Sequence, residues 1–177
     1  MPVAAEPDRP SSRDTPAARA WSIPPLVRGA GGELPEGSAL GAWTVVHLRG
    51  TEACCEVYAV VDADGSSCTA RVARRSALGE RPGLAGAMLA AAQRLARLRH
   101  PNLLAVVGCG WTAEASPRPF VLHERVAGRD LAAYQARHGG VEPGLLLAIA
   151  YQCAAALEAL HAAGLAHANL WRGCAVL

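Results

Sequence analysis

The chain has 177 residues, 51% apolar and 18% charged, with 17 basic and 15 acidic side chains and a net charge of +2. That length suffices for one core of ordinary size, and the near-neutral balance gives no electrostatic footprint for a nucleic-acid or membrane-surface partner. All 17 basic residues are arginine, which excludes lysine chemistry from these residues: arginine stays protonated, forms no imine and is no general base.

The six cysteines, Cys54, Cys55, Cys68, Cys109, Cys153 and Cys174, sit in apolar stretches without a C-x-x-C pair. They read as small buried apolar residues and not as zinc ligands or a redox couple. The opening MPVAAEPDRP carries acids and prolines and no apolar run, unlike a signal peptide. A reducing cytoplasm is the expected compartment.

Residues 1–38 are rich in Pro, Ala, Gly, Ser and Arg without a helical or strand period, and are expected to form a disordered leader. Residues 43–48 and 55–61 are β-branched and aromatic, and Asp64-Gly65 makes a turn before 68–73, which predicts a three-stranded meander. One helix is predicted over 81–99, opened by Arg81-Pro82-Gly83 and stopped by Pro101. Two more strands are predicted at 103–107 and 120–123, followed by helices at 130–137 and 143–163. Within the least polar stretch, 144–166, Gln152, Glu158 and His161 interrupt a membrane-like run, while Leu146, Ile149, Cys153, Leu157 and Leu160 recur at helical spacing. The expectation is a surface helix with an apolar stripe, not a membrane span.

Five strands with one helix after the third, a short connector and then helices is the order of a protein kinase small lobe running into its large lobe. The residues from about 40 to 177 resemble the eukaryotic-type serine/threonine protein kinase family of bacteria. The resemblance is carried by Gly41-Ala-Trp-Thr-Val-Val, Glu56-Val57-Tyr58, Arg99-His100-Pro101-Asn102-Leu103-Leu104, Phe120-Val121-Leu122-His123-Glu124, Gly128-Arg129-Asp130-Leu131 and the stretch from Leu160-His161 to His167-Ala168-Asn169-Leu170. It implies an α+β fold: a small lobe over 39–126, with a five-stranded antiparallel sheet and one helix, then an incomplete large lobe over 127–177, truncated at the catalytic loop.

The resemblance also assigns the chemistry. The three glycine positions of the loop over the phosphates hold Gly50, Glu52 and Cys55, so an ordinary hairpin is expected there. The phosphate-gripping lysine falls at Arg71 and its glutamate partner at Ala91, leaving Arg71 expected as an unpaired charge turned to solvent. The catalytic aspartate falls at Asn169, an amide with no basic site at neutral pH. His167 takes a structural position beside it, and Ala168, Trp171 and Cys174 replace the arginine, the lysine and the metal-binding asparagine. No carboxylate follows Glu158, so no magnesium site is expected.

An adenine slot is assigned by the same resemblance to Leu48, Gly50, Val57, Ala70 and Arg71, with the Glu124 carbonyl and Val126 amide as its hinge contacts and His123 controlling its depth. The expectation is a catalytically inactive, pseudokinase-like module that binds ATP weakly or not at all. It would dock a protein partner, or a second copy, through an exposed large-lobe helix. An active ATP-dependent serine/threonine kinase and a non-functional gene remnant are the alternatives.

Overall fold

The computed structural model describes residues 34–52, 54–167, 170 and 174–176. Six strands form one antiparallel sheet: β1 (Ala39–Leu40), β2 (Trp43–Thr51), β3 (Cys55–Val61), β4 (Ser67–Ala73), β5 (Val106–Trp111) and β6 (Pro119–Glu124), in the order β1-β2-β3-β4-β6-β5. The expected five are joined by the two-residue β1, which pairs with Trp43 and Thr44. The fifth begins at Val106 and not at 103, because Leu103 N–H turns back to the His100 carbonyl and the ladder with β6 starts opposite His123.

Strand alternation divides the sheet into two faces. On one, Leu40, Val45, Tyr58, Val60, Ala70, Val72, Phe120 and Leu122 form the main core. Leu34, assigned by the sequence to the leader, is buried in that core, and Gly37 N–H donates to the Val45 carbonyl at 2.8 Å. The packed body therefore takes in residues 34–38; the rest of the expected leader lies outside the described residues. On the other face Val106 and Val121 pack with Ala92, Met88 and Leu95 of a helix.

That helix is shorter than expected. The 81–99 prediction resolves into α1 (Arg75–Glu80) and α2 (Leu84–Leu95). Pro82 has no N–H to donate, and Gly83 takes a left-handed φ of 88°, so the break falls between them and Leu84. At the far end Arg97 and Leu98 N–H donate to the Arg94 and Leu95 carbonyls, a tightened three-residue turn that ends the helix before His100.

After the sheet come α3 (Leu131–His138) and α4 (Pro143–Ala162). Asp130 caps α3 by accepting from Ala133 N–H at 2.7 Å, and Leu131 N–H donates to the Ala175 carbonyl, fastening the end of the chain beside α3. Glu142 caps α4 through Gly144 and Leu145 N–H, both at 2.9 Å, and Pro143 takes the first helical position. Those two bonds hold the Glu142 carboxyl below the usual carboxylate range.

The stripe expected on α4 is only partly buried: Ile149, Ala156 and Leu160 face inward, whereas Leu146 is half exposed and Leu147 and Tyr151 are 72% and 77% exposed. Among the described residues α4 alone is long and apolar enough to cross a membrane by length and composition. Its C-terminus is tied to α2, where Arg94 Nη2 donates to the Gly164 carbonyl at 3.0 Å.

Candidate functional site

The site assigned by resemblance maps onto the α2 side of the sheet, and the strand register says which side chains belong to it. Directly paired residues share a face. Gly50 pairs with Val57, Val57 with Arg71, Arg71 with Val121 and Val121 with Cys109, so these form one row across the sheet. A neighbouring row on the same face runs His47, Ala59, Thr69, His123 and Val106.

Leu48 and Ala70 are not in either row. Leu48 pairs with Tyr58, which pairs with Ala70, and these residues belong to the main core on the opposite face. Ala70 and Arg71 are adjacent in one strand, so they cannot both line one slot. Thr69 stands on the Arg71 side instead, and it accepts a 3.2 Å hydrogen bond from Arg49 Nη1. The period-two rule applied to Arg71 would have found Thr69 from the sequence; the arginine that reaches it carried no such signal.

Arg71 is not an unpaired charge, contrary to the expectation. Its Nε donates to both carboxylate oxygens of Glu52, each at 3.3 Å, with the arginine side chain one-third exposed and the glutamate 16% exposed. Glu52 is held at the β2–β3 turn by its own N–H, which donates to the Cys55 carbonyl at 2.7 Å. The physical reason for the pairing is the composition of α2, LAGAMLAAAQRL, which carries no acid. Ala91 has no side-chain acceptor, and the carboxylate that Arg71 meets comes from the turn. Sequence alignment placed Glu52 beside the phosphates but gave no hint of which cation it would meet.

Two further groups mark this face. Burial, with the nearby Glu52 carboxylate, pushes the Cys55 thiol up to about 12, so Cys55 is a protonated filler and not a nucleophile. Burial, with the Arg71 charge adding to it, pushes the His123 imidazole down to about 4, and its Nδ1 is buried without a hydrogen-bond partner in the structure.

At the connector, Glu124 N–H donates to the Ala105 carbonyl at 3.0 Å and Glu124 Oε1 accepts from Ala105 N–H at 2.7 Å. Val126 is half exposed. A cavity of about 420 Å³ lies behind this point, lined by Leu98, Arg99, His100, Pro101, Leu103, Ala105 and Glu124. Of the expected slot residues it includes Glu124 alone. His167 is exposed, Cys174 is exposed, and Ala168, Asn169 and Trp171 lie outside the described residues. Among the described residues no group of three or more His, Cys, Asp and Glu side chains is placed to hold a metal ion.

The sheet order, the helix packed on the Arg71 face and the connector into α3 and α4 are those of a partial protein kinase-like domain, and its similarities are to bacterial serine/threonine kinases. No family model matches the chain. Over 138 residues it is 28% identical to the serine/threonine-protein kinase PknE of Mycobacterium bovis, which covers 78% of this chain and 24% of PknE. The PknI kinase domain of Mycobacterium tuberculosis superposes with a TM-score of 0.67 at 27% identity, over 79% of this chain and 56% of that one. Rad53, solved in complex with AMP-PNP, shares the fold at 20% identity and a TM-score of 0.62, over 75% of this chain and 33% of that one. The chain thus spans about a quarter of PknE and just over half of the PknI kinase domain.

Proposed function

We propose that this chain is a non-catalytic, pseudokinase-like module that binds a protein partner, with ATP binding weak or lost. The observation that carries the reading is the Glu52–Arg71 pair. At the position where the family's lysine grips the nucleotide phosphates, the cation is an arginine already engaged by a carboxylate of the same chain. An incoming triphosphate must displace that carboxylate and then sit beside it, a like-charge contact that costs affinity. Arginine also presents a planar fork where the family uses a compact ammonium, so it does not substitute in place.

The sequence supports the same reading at the second chemical position. Asn169 stands where the family's aspartate accepts the substrate hydroxyl's proton, and loss of a general base typically costs ~10² to 10⁴ in rate. Loss of the phosphate and metal clamps adds electrostatic terms of about 3 to 4 kcal/mol apiece, although such losses are not additive.

The partner surface in this reading is the outer side of α4, where Leu146, Leu147 and Tyr151 are exposed. A large apolar side chain cluster on a helix rim marks an interaction site. A protein is favoured over a lipid bilayer because α4 is packed along Ile149, Ala156 and Leu160, and its end is bonded to Arg94. A cytoplasmic location belongs to the same proposal.

The test is a phosphotransfer assay with labelled ATP and Mg²⁺ on the purified chain, with calorimetric titration of Mg-ATP alongside. No transfer and no micromolar binding are expected. Labelled serine or threonine that disappears in Arg71→Ala would establish the active alternative.

A further inference from the structure

Glu124 follows His123 in β6, so its side chain turns to the face opposite His123 and Arg71, as its direct pairing with Cys68 of the main core requires. It therefore belongs to the cavity of about 420 Å³ behind the connector and not to the Arg71 face. That volume lies within the range of about 300–1,000 Å³ typical of small-ligand sites. The walls are held in place by the chain itself. Glu124 N–H donates to the Ala105 carbonyl at 3.0 Å, and Ala105 N–H donates back to Glu124 Oε1 at 2.7 Å. On the loop after α2, Leu103 N–H donates to the His100 carbonyl at 3.1 Å and Asn102 N–H to His100 Nδ1 at 3.2 Å.

Those bonds leave Glu124 with acceptor capacity to spare. A carboxylate accepts about four hydrogen bonds, and Ala105 N–H takes one of them, at Oε1. Among the described residues no arginine pairs with Glu124. The two nearest in the cavity wall and in sequence are engaged elsewhere: Arg99 Nη1 donates to the Ala96 and Leu98 carbonyls at 2.9 and 3.4 Å, and Arg125 Nη1 reaches Ser67 Oγ at 3.4 Å. Leu98, Pro101 and Leu103 supply apolar lining to the same cavity. A fixed carboxylate with one oxygen open, beside apolar walls, suits a planar cation on an apolar body. An amidinium or guanidinium offers two parallel N–H groups to the two oxygens, the geometry of the strongest charge-assisted pairs, where an ammonium offers a point charge.

We propose that this cavity binds amidinium or guanidinium ligands that carry an apolar body, with Glu124 as their counter-ion. The site goes beyond the non-catalytic reading and does not rest on it, since it lies off the Arg71 face and uses the Glu124 side chain and not its carbonyl. Free aromatic amidines and the arginine side chain of a peptide share this chemistry.

The test titrates the full chain calorimetrically, at neutral pH and low ionic strength, with benzamidine and with benzamide, which has nearly the same shape and no charge. Benzamidine is expected to bind at least about tenfold tighter, the difference between a charge-assisted and a neutral hydrogen bond. Glu124→Gln, whose amide oxygen still accepts from Ala105 N–H, is expected to erase that difference. Equal affinities in the unaltered chain, no binding of benzamidine at millimolar concentration, or a preference that survives Glu124→Gln overturns the proposal. Should Glu124→Gln fail to fold by circular dichroism, Ala105→Leu keeps the backbone N–H and fills part of the cavity; it is expected to weaken benzamidine binding at least about fivefold, and unchanged affinity overturns the proposal in the same way. A further arm with N-acetyl-argininamide distinguishes the sources: affinity equal to that of benzamidine or above it assigns the site to an arginine side chain, and weaker affinity assigns it to a free aromatic amidine.

Discussion

Arg118 Nη1 lies 3.2 Å from Glu56 Oε2, with the arginine side chain fully buried and the glutamate 6% exposed, across 62 residues of sequence. The same glutamate oxygen accepts from Tyr58 Oη at 2.6 Å, Arg118 Nη1 also donates to the Ala73 carbonyl, and Arg118 Nε donates to Glu114 Oε2 at 2.9 Å. One buried guanidinium thus holds together β3, β4 and the loop between β5 and β6. Glu114 shows the balance of forces in its own titration: burial pushes its carboxyl up, but the hydrogen bonds from Arg118 and Thr112 and the charges of Arg118 and Arg75 outweigh it and leave it low.

Breaking that pair from one side strands a charge in the core. Glu56→Ala is expected to destabilise the fold by about 3–5 kcal/mol, read as a lowered midpoint in urea denaturation. Glu114→Ala, whose side chain is 24% exposed, is expected to cost about 1 kcal/mol. If the two variants melt alike, the buried pair does not organise this edge of the sheet.

Tyr58 connects the network to the residues ahead of β1, because its Oη also accepts from Leu34 N–H at 3.1 Å. Burial and the hydrogen bond to Glu56 push the phenol up, so it stays a donor throughout the accessible pH range. Tyr58→Phe leaves Leu34 N–H without its acceptor and is expected to cost about 1–3 kcal/mol. Hydrogen exchange at Leu34 should accelerate more than exchange in β3, since the sheet ladder is untouched.

The element order was legible in the sequence because β-branched and aromatic runs at 43–48, 55–61 and 68–73, bounded by turn residues, mark strands. The slot was misread by one residue at Ala70 and Leu48, because alignment by motif ignores which side of a strand a residue faces. The β2 register is also shifted between Leu48 and Gly50, and a bulge of that kind leaves no compositional trace. The Glu52–Arg71 and Glu56–Arg118 pairs were invisible for a different reason. Each joins residues brought together only by folding, and a carboxylate in a sequence does not state which of 17 arginines it will meet.

His123 makes stability depend on pH in a defined window. Its imidazole is pushed down to about 4 from an ordinary 6.5, first by burial and then by Arg71. Above pH 6.5 the ring is neutral in both the folded and the unfolded chain and contributes no dependence. Between 6.5 and 4 the unfolded chain takes up a proton that the folded one refuses, so stability falls as pH falls, by about 3 kcal/mol over the whole window. Urea midpoints measured from pH 7 to pH 4 should show this slope, and His123→Leu should flatten it. Glu114 and Glu142, both held low, add their losses only below their ordinary value of 4.5, so the two effects separate along the pH axis.

The join between α2 and α4 rests on Arg94 and Gly164. Gly164 has a φ of +65°, and a Cβ built there would lie 2.7 Å from Arg94 Nη2. Gly164→Ala therefore carries the cost of a left-handed backbone, about 1 kcal/mol, and pushes the guanidinium off the carbonyls at the end of α4. Arg94→Ala removes the guanidinium without touching the backbone. Both are expected to speed hydrogen exchange in the last turn of α4, with Gly164→Ala the larger effect on the thermal midpoint; unchanged exchange in Arg94→Ala would show that the contact does not fasten the helix.

Leu147 and Tyr151 lie four residues apart on one side of α4, and at 72% and 77% exposure they have little to lose on truncation. Leu147→Glu is expected to change stability by no more than about 0.5 kcal/mol, because the inward side of the helix, Ile149, Ala156 and Leu160, is unaltered. If this face docks a partner or a second copy, the charge must be desolvated on association, which a hydrophobic contact cannot offset. Sedimentation of the unaltered chain across a concentration series should then show association that Leu147→Glu and Tyr151→Ser each weaken. Ile149→Ala is the contrasting case: it opens a cavity on the packed side, so it should lower stability by about 2–5 kcal/mol while leaving the exposed leucine and tyrosine in place. Association that tracks the stability loss of Ile149→Ala, and ignores the charge at 147, would place the contact elsewhere on the molecule.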